Sequence, residues 1–150
     1  MRKILFLCTG NSCRSQMAHG FANSMHNGNW QCYSAGIVSH GMNKFAIQVM
    51  AEVGIDISEH TSQTLNEFYD VNFDYVATVC DHAADNCPAF TQGEQVIHQR
   101  FDDPPKLARH AKTDEESLDF YRQVRDEIQQ WVAELPEQLS PQVTPKLAQH

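Results

Sequence analysis

Short apolar runs alternate with amphipathic stretches along the chain. Lys3–Leu7 (KILFL) is a continuous apolar run of strand length, bounded by a polar Gly/Asn/Ser segment. From Ser12 to Met25, residues Met17, Ala18, Phe21, Ala22 and Met25 recur at helical spacing. Gln31–Ala35 (QCYSA) is a second short strand closed by Gly36. Asn43 is placed to cap a helix with the stripe Phe45, Ala46, Val49, Met50 and Val53, and Gly54 stands where a helix-terminating glycine belongs. Asp74–Cys80 (DYVATVC) is a third strand, rich in β-branched and aromatic residues, and Glu94–His98 (EQVIH) a weaker fourth. Thr113 and Glu116 match a capping box ahead of the stripe Leu118, Tyr121, Val124, Ile128, Trp131, Val132 and Leu135. Strands that alternate with helices predict an α/β fold with a parallel sheet covered on both faces.

The chain has 150 residues, one domain's length, with 41% hydrophobic and 20% charged residues. A single domain is expected over residues 1–135. The segment 136–150, with three prolines and little periodicity, is expected to be a flexible tail. No apolar run approaches the ~20 residues needed to cross a bilayer, and Ile4–Leu7 is too short for a signal-peptide core. The expectation is a soluble, cytoplasmic, monomeric protein. A net charge of −8 argues against nucleic acid or an anionic membrane as partner, without excluding a small anion at a local positive site. Five cysteines, Cys8, Cys13, Cys32, Cys80 and Cys87, make a poor structural disulfide framework.

The chemistry concentrates at Cys8-Thr9-Gly10-Asn11-Ser12-Cys13-Arg14-Ser15, a C-x5-R-S segment between the first strand and the first helix. A strand-to-helix turn can direct backbone N–H groups inward, and a helix N-terminus adds positive potential. Gly10 and Asn11 tolerate the unusual backbone angles of such a cradle. Arg14 can grip two oxygens of a tetrahedral oxyanion. This setting should favour the thiolate of Cys8 as a nucleophile, with Ser15 donating a hydrogen bond to it. C-x5-R alone is a loose pattern; its position between a strand and a helix makes it specific.

Two further elements are weaker alone. Asp103 in Phe101-Asp102-Asp103-Pro104 sits on a rigid turn and could protonate a leaving oxygen, although an Asp-Pro turn is common. Cys80 and Cys87 are compatible with a redox pair, with a zinc half-site using Asp81, His82 or Asp85, or with two unrelated thiols. In a helix, residues seven apart lie ~10 Å apart along the axis, whereas a disulfide needs Cα atoms within roughly 7 Å. A Cys80–Cys87 bond would therefore require the segment to loop out. Cys8 and Cys80 end strands and Asp103 follows one, so all three fall at the carboxyl edge of the sheet, where such folds place their sites.

With CTGNSCRSQMA, YSAG, EVGIDISEHTS, the Cys80/Cys87 spacing, FDDP and YRQVRDEI, the chain from about Lys3 to Leu135 resembles the thioredoxin-coupled arsenate reductases built on the low-molecular-weight tyrosine phosphatase scaffold. The resemblance implies a three-layer sandwich with a four-stranded parallel sheet, order 2-1-3-4. It implies that Cys8 attacks arsenate held by residues 9–15 while Asp103 protonates the departing oxygen. Cys80 then attacks Cys8 and releases arsenite, Cys87 attacks Cys80, and thioredoxin reduces the resulting disulfide. Arsenic detoxification without a bound cofactor follows from the same resemblance.

Some members of that family bind potassium at positions matching Asn11, His19, Ser34 and Gln63. Here His19 and Gln63 replace carboxylates, and no tight potassium or other metal site is expected. Cys13 is expected to pack the loop and Cys32 to be an inert buried thiol. His40, His60, His82 and His98 are assigned no catalytic role. The runner-up is a low-molecular-weight phosphotyrosine phosphatase, which Cys8, Arg14 and Asp103 would serve equally well. Against it, Pro105-Lys-Leu-Ala offers no aromatic residue after the Asp-Pro turn to stack on a substrate ring. A third reading is a thiol or zinc sensor using Cys80, His82 and Cys87.

Overall fold

The computed structural model describes residues 2–8, 10–79 and 95–139. Among these, four strands form one parallel sheet: β1 (Arg2–Cys8), β2 (Trp30–Gly36), β3 (Tyr75–Thr78) and β4 (Gln95–His98), in the order β2-β1-β3-β4. The helices are α1 (Arg14–Met25), α2 (Lys44–Glu52), the short α3 (Pro104–Leu107) and the long α4 (Asp114–Leu139). This is the expected fold and strand order. β3 is shorter than the Asp74–Cys80 run; Cys80 and Glu94 lie outside the described residues.

The central position of β1 explains its unbroken apolar run. Ile4 and Phe6 enter one core with Met17, Phe21, Met50, Val124, Ile128 and Trp131. Leu5 and Leu7 enter a second core with Ala35, Phe73 and Val76. Alternate side chains of one strand therefore feed opposite faces of the sheet. The first core carries apolar residues of all four helices. Among the described residues, the second face is covered by Tyr33, Phe68 and Phe73, which meet edge-on at 5.2 to 6.2 Å. Phe68 lies on a 3-10 turn, Leu65–Phe68.

Local signals act as their chemistry suggests. The Asn43 side-chain oxygen accepts from the backbone N–H groups of Phe45 and Ala46, capping α2, and Gly54 ends the run at φ 83°. Thr113 Oγ1 accepts from Glu116 N–H, one half of the expected capping box. The Glu116 carboxylate turns instead to the N–H of Lys112.

α4 continues past Leu135 to Leu139, although Pro136 lies inside it. Proline has no N–H for the carbonyl four residues back, which here is Val132. That oxygen accepts instead from Nε2 of His26, at 2.9 Å, just beyond the end of α1. Leu139 is buried on the first core. The sequence-based boundary at residue 135 thus falls short of the packed helix; residues 140–150 lie outside the described residues.

Candidate active site

Parallel pairing brings Cys8, the last residue of β1, beside Gly36, the last of β2. The chain then turns through residues 10–13 into α1. Asn11 adopts φ 50°, a left-handed conformation that asparagine tolerates better than most residues. Gly36 has a role that its place at a strand end hides. A Cβ there would stand 2.7 Å from the Asn11 nitrogen and 2.8 Å from the Gly10 carbonyl carbon, so the loop lies directly against the glycine. The outer side is held by His40 N–H and Ser62 Oγ, both donating to Gly10 O, at 3.0 and 3.1 Å.

The Cys8 sulfur is buried, 2.9 Å from the Ser15 hydroxyl. Ser15 is thus placed to donate to it, as the C-x5-R-S pattern suggests. Among the described residues no side chain caps α1 and no acid occupies its first turn, so no residue of α1 itself offsets its positive N-terminal potential.

Arg14 is 7% exposed. Nη1 donates to the Phe101 carbonyl at 3.0 Å, and Nη2 lies 3.5 Å from the Asp103 carboxylate. Asp103 precedes Pro104 at the start of α3, and its side chain makes no capping bond. The carboxylate is therefore directed at the loop arginine. The structure brings together Cys8, Arg14, Ser15 and Asp103, which are up to 95 positions apart in sequence. Thr9, Cys80 and Cys87 lie outside the described residues.

Cys13 sits among these charges. Burial, then the neighbouring Asp103 and Cys8, push its thiol well above its ordinary value, against a smaller opposing effect of Arg14. It belongs to the first core, in keeping with the packing role expected of it. Cys32 is pushed up to about 12 by burial.

Tyr121 was legible only as part of a helical stripe. Its hydroxyl accepts from Asn43 Nδ2 at 3.0 Å, while the Asn43 N–H donates to Ser12 O. Burial raises the phenol to about 12, with Cys13 and Asp103 adding to the shift. Tyr121 thereby links α4 to the loop through Asn43.

At the positions matching the family's potassium ligands, the side chains serve one another. His19 Nδ1 lies 2.9 Å from Ser34 Oγ, and Asn11 Oδ1 accepts from Gln63 N–H at 2.7 Å and from Gln16 Nε2 at 3.0 Å. Neither His19 nor Gln63 carries an anionic oxygen.

The family described as low molecular weight phosphotyrosine protein phosphatase matches residues 3–144. The chain is 50% identical over 125 residues to the arsenate reductase of Halalkalibacterium halodurans, covering 83% of this chain and 88% of that one. It has the same identity and coverage with the arsenate reductase of Bacillus subtilis. A solved structure described as an arsenate reductase in the phosphate binding state superposes with a TM-score of 0.77 at 34% identity, covering 93% of this chain and 99% of the other.

Proposed function

The chain belongs to the low molecular weight phosphotyrosine protein phosphatase family, and on that footing we propose that it is an arsenate reductase working through a three-cysteine relay. The reading rests on the half-identity to relatives named arsenate reductase, because the loop geometry alone would serve phosphate as well as arsenate. The Cys8 thiolate attacks arsenic(V) bound by the 9–15 loop and Arg14, and an oxygen leaves as water with a proton from Asp103. Cys80 then attacks the Cys8 sulfur. The sulfur–arsenic electron pair passes to arsenic, arsenite departs, and a Cys8–Cys80 disulfide remains. Cys87 attacks Cys80, frees Cys8, and leaves a Cys80–Cys87 disulfide. A dithiol reductant, thioredoxin, reduces it by exchange. Such a relay suits the reducing cytoplasm; among the described residues no helix is long and apolar enough to cross a membrane.

The phosphatase reading shares Cys8, Arg14 and Asp103 but leaves Cys80 and Cys87 without a task. The test is NADPH consumption with thioredoxin and thioredoxin reductase, with and without arsenate, for the wild type and Cys87→Ser. Arsenate-dependent turnover lost in the variant supports the relay. A wild type that fails to turn over arsenate but rapidly hydrolyses an aryl phosphate is a phosphatase.

A further inference from the structure

We infer that Gln16, oriented by His60, is a positioning residue that aims the Ser15 hydroxyl at the Cys8 sulfur through the side chain of Asn11. The inference rests on Cys8 being the nucleophile, as proposed above.

The direction of every bond in this chain follows from backbone groups. The N–H of Gln63 can only donate, and it meets Asn11 Oδ1 at 2.7 Å. That identifies the Asn11 oxygen, so its Nδ2 is the atom 2.8 Å from Ser15 Oγ. Ser15 Oγ accepts from Asn11 and therefore has its own hydrogen free for the Cys8 sulfur at 2.9 Å. Gln16 is equally determined. Its Nε2 faces three acceptors: Asn11 O at 3.2 Å, Asn11 Oδ1 at 3.0 Å and Thr61 O at 3.3 Å. Its Oε1 must then accept, and the partner 2.8 Å away is His60 Nδ1, which carries the proton. Four donors in succession, from His60, Gln16, Asn11 and Ser15, point toward one sulfur.

Asn11, Ser15 and Gln16 are fully buried. Without Gln16, Asn11 Oδ1 would keep only the Gln63 N–H of its two donors, and the amide would be held less firmly over its left-handed backbone. An amide held by one donor can turn part of the time and offer Ser15 an acceptor instead of a donor, and the serine hydrogen then leaves the sulfur. Buried polar chains of this kind polarise in one direction and tolerate no reversed member. His60 is half-buried, borders a shallow cavity with Asp56, and stacks on His19 with ring centroids 4.6 Å apart. His60 thereby acts on the reaction indirectly, through its contact with Gln16.

The test is iodoacetamide alkylation of Cys8 across pH, followed on the Cys8 peptide by mass spectrometry, in the reduced full-length protein. Ser15→Ala and Gln16→Met are compared singly and together. Gln16→Met should slow Cys8 alkylation at pH 7 about tenfold and move its pH midpoint upward. In the Ser15→Ala background it should add nothing, because the hydroxyl it orients is gone. Additive losses, or no change in Gln16→Met, would overturn the inference. If Gln16→Met does not fold, His60→Ala takes its place, with a smaller shift expected in the same direction. His60→Gln, which retains an N–H donor, should restore part of the rate. An unchanged His60→Ala profile would also overturn the inference. A wild-type Cys8 no more reactive than a free thiol would instead sink both the inference and the assignment of Cys8 as nucleophile.

Discussion

The guanidinium of Arg14 lies 3.5 Å from the carboxylate of Asp103 while donating to the carbonyl of Phe101. A single side chain thus joins the loop after β1 to the turn that carries the candidate acid. Its planar fork can hold both partners at once, which a lysine ammonium on a flexible stem cannot reproduce.

From this arrangement, Asp103→Asn should lower arsenate turnover by about 10²-fold, the usual scale for loss of a positioned acid. Its effect on KM should be much smaller. The Asp103 side chain is one-third exposed, so its ion pair contributes little to stability, and urea unfolding should change by less than about 1 kcal/mol. A loss confined to KM would assign Asp103 to substrate binding. Steady-state kinetics alongside urea unfolding make the distinction.

The His26–Val132 bond replaces the one that Pro136 cannot supply. His26→Ala should therefore destabilise the protein by about 1 kcal/mol. In a Pro136→Ala background the restored N–H can serve Val132, and the same histidine change should cost clearly less. Urea unfolding of the four proteins of this cycle measures the coupling; strict additivity would mean the two features are unrelated.

Acid should weaken the fold in a defined window. Burial, with the neighbouring His60 adding to it, lowers His19 from 6.5 to about 4. His60 is itself shifted downward by burial. Between these limits the unfolded chain binds protons that the folded chain refuses, so stability falls as pH drops from 6.5 to about 4 and then levels off for this group. The loss attributable to His19 is on the order of 3 kcal/mol at most. His19→Gln, which keeps a polar partner for Ser34 and does not titrate, should flatten the curve of urea midpoint against pH. An unchanged slope would assign the acid sensitivity to other groups.

Gly10 in the loop and Gly36 behind it should respond differently to alanine. At Gly36 the new methyl would meet backbone atoms at 2.5 to 2.8 Å, which cannot swing away. Gly36→Ala should cost about 1–3 kcal/mol and most of the oxyanion binding. At Gly10 the nearest atoms to the methyl would be those of the His40 ring, and His40 is exposed. Gly10→Ala should be milder, and removing the ring in Gly10→Ala/His40→Ala should relieve it. Phosphate protection of Cys8 against alkylation would rank the variants.

The legible parts of this chain were those decided locally. KILFL is apolar throughout because β1 is covered on both faces, and Asn43 and Gly54 mark the ends of α2 with their own backbone chemistry. Cys8, Arg14 and Ser15 were visible because eight consecutive residues hold them. What escaped was set by contacts distant in sequence. Pro136 suggested a helix end, and only the fold brings His26 to the orphaned carbonyl. Nothing local in the sequence marks Gln16, and His60 is one of several scattered histidines; the two lie 44 positions apart. The donor–acceptor sense of their chain depends on a backbone N–H of Gln63. Gly36 was read as a strand terminus because its closeness to Asn11 exists only once β1 and β2 pair.

The buried Cys13 and the half-buried Cys32 have a chemical consequence of their own. Only a thiolate exchanges readily with a disulfide or is oxidised by a peroxide. Cys32, pushed up to about 12, and Cys13, raised well above its ordinary value, keep their protons at neutral pH. At these two positions the proton acts as a protecting group, fitted by the fold and removed only by unfolding. A chain with five thiols thus withdraws two of them from competition, and its thiol chemistry is sorted by charge before any partner arrives.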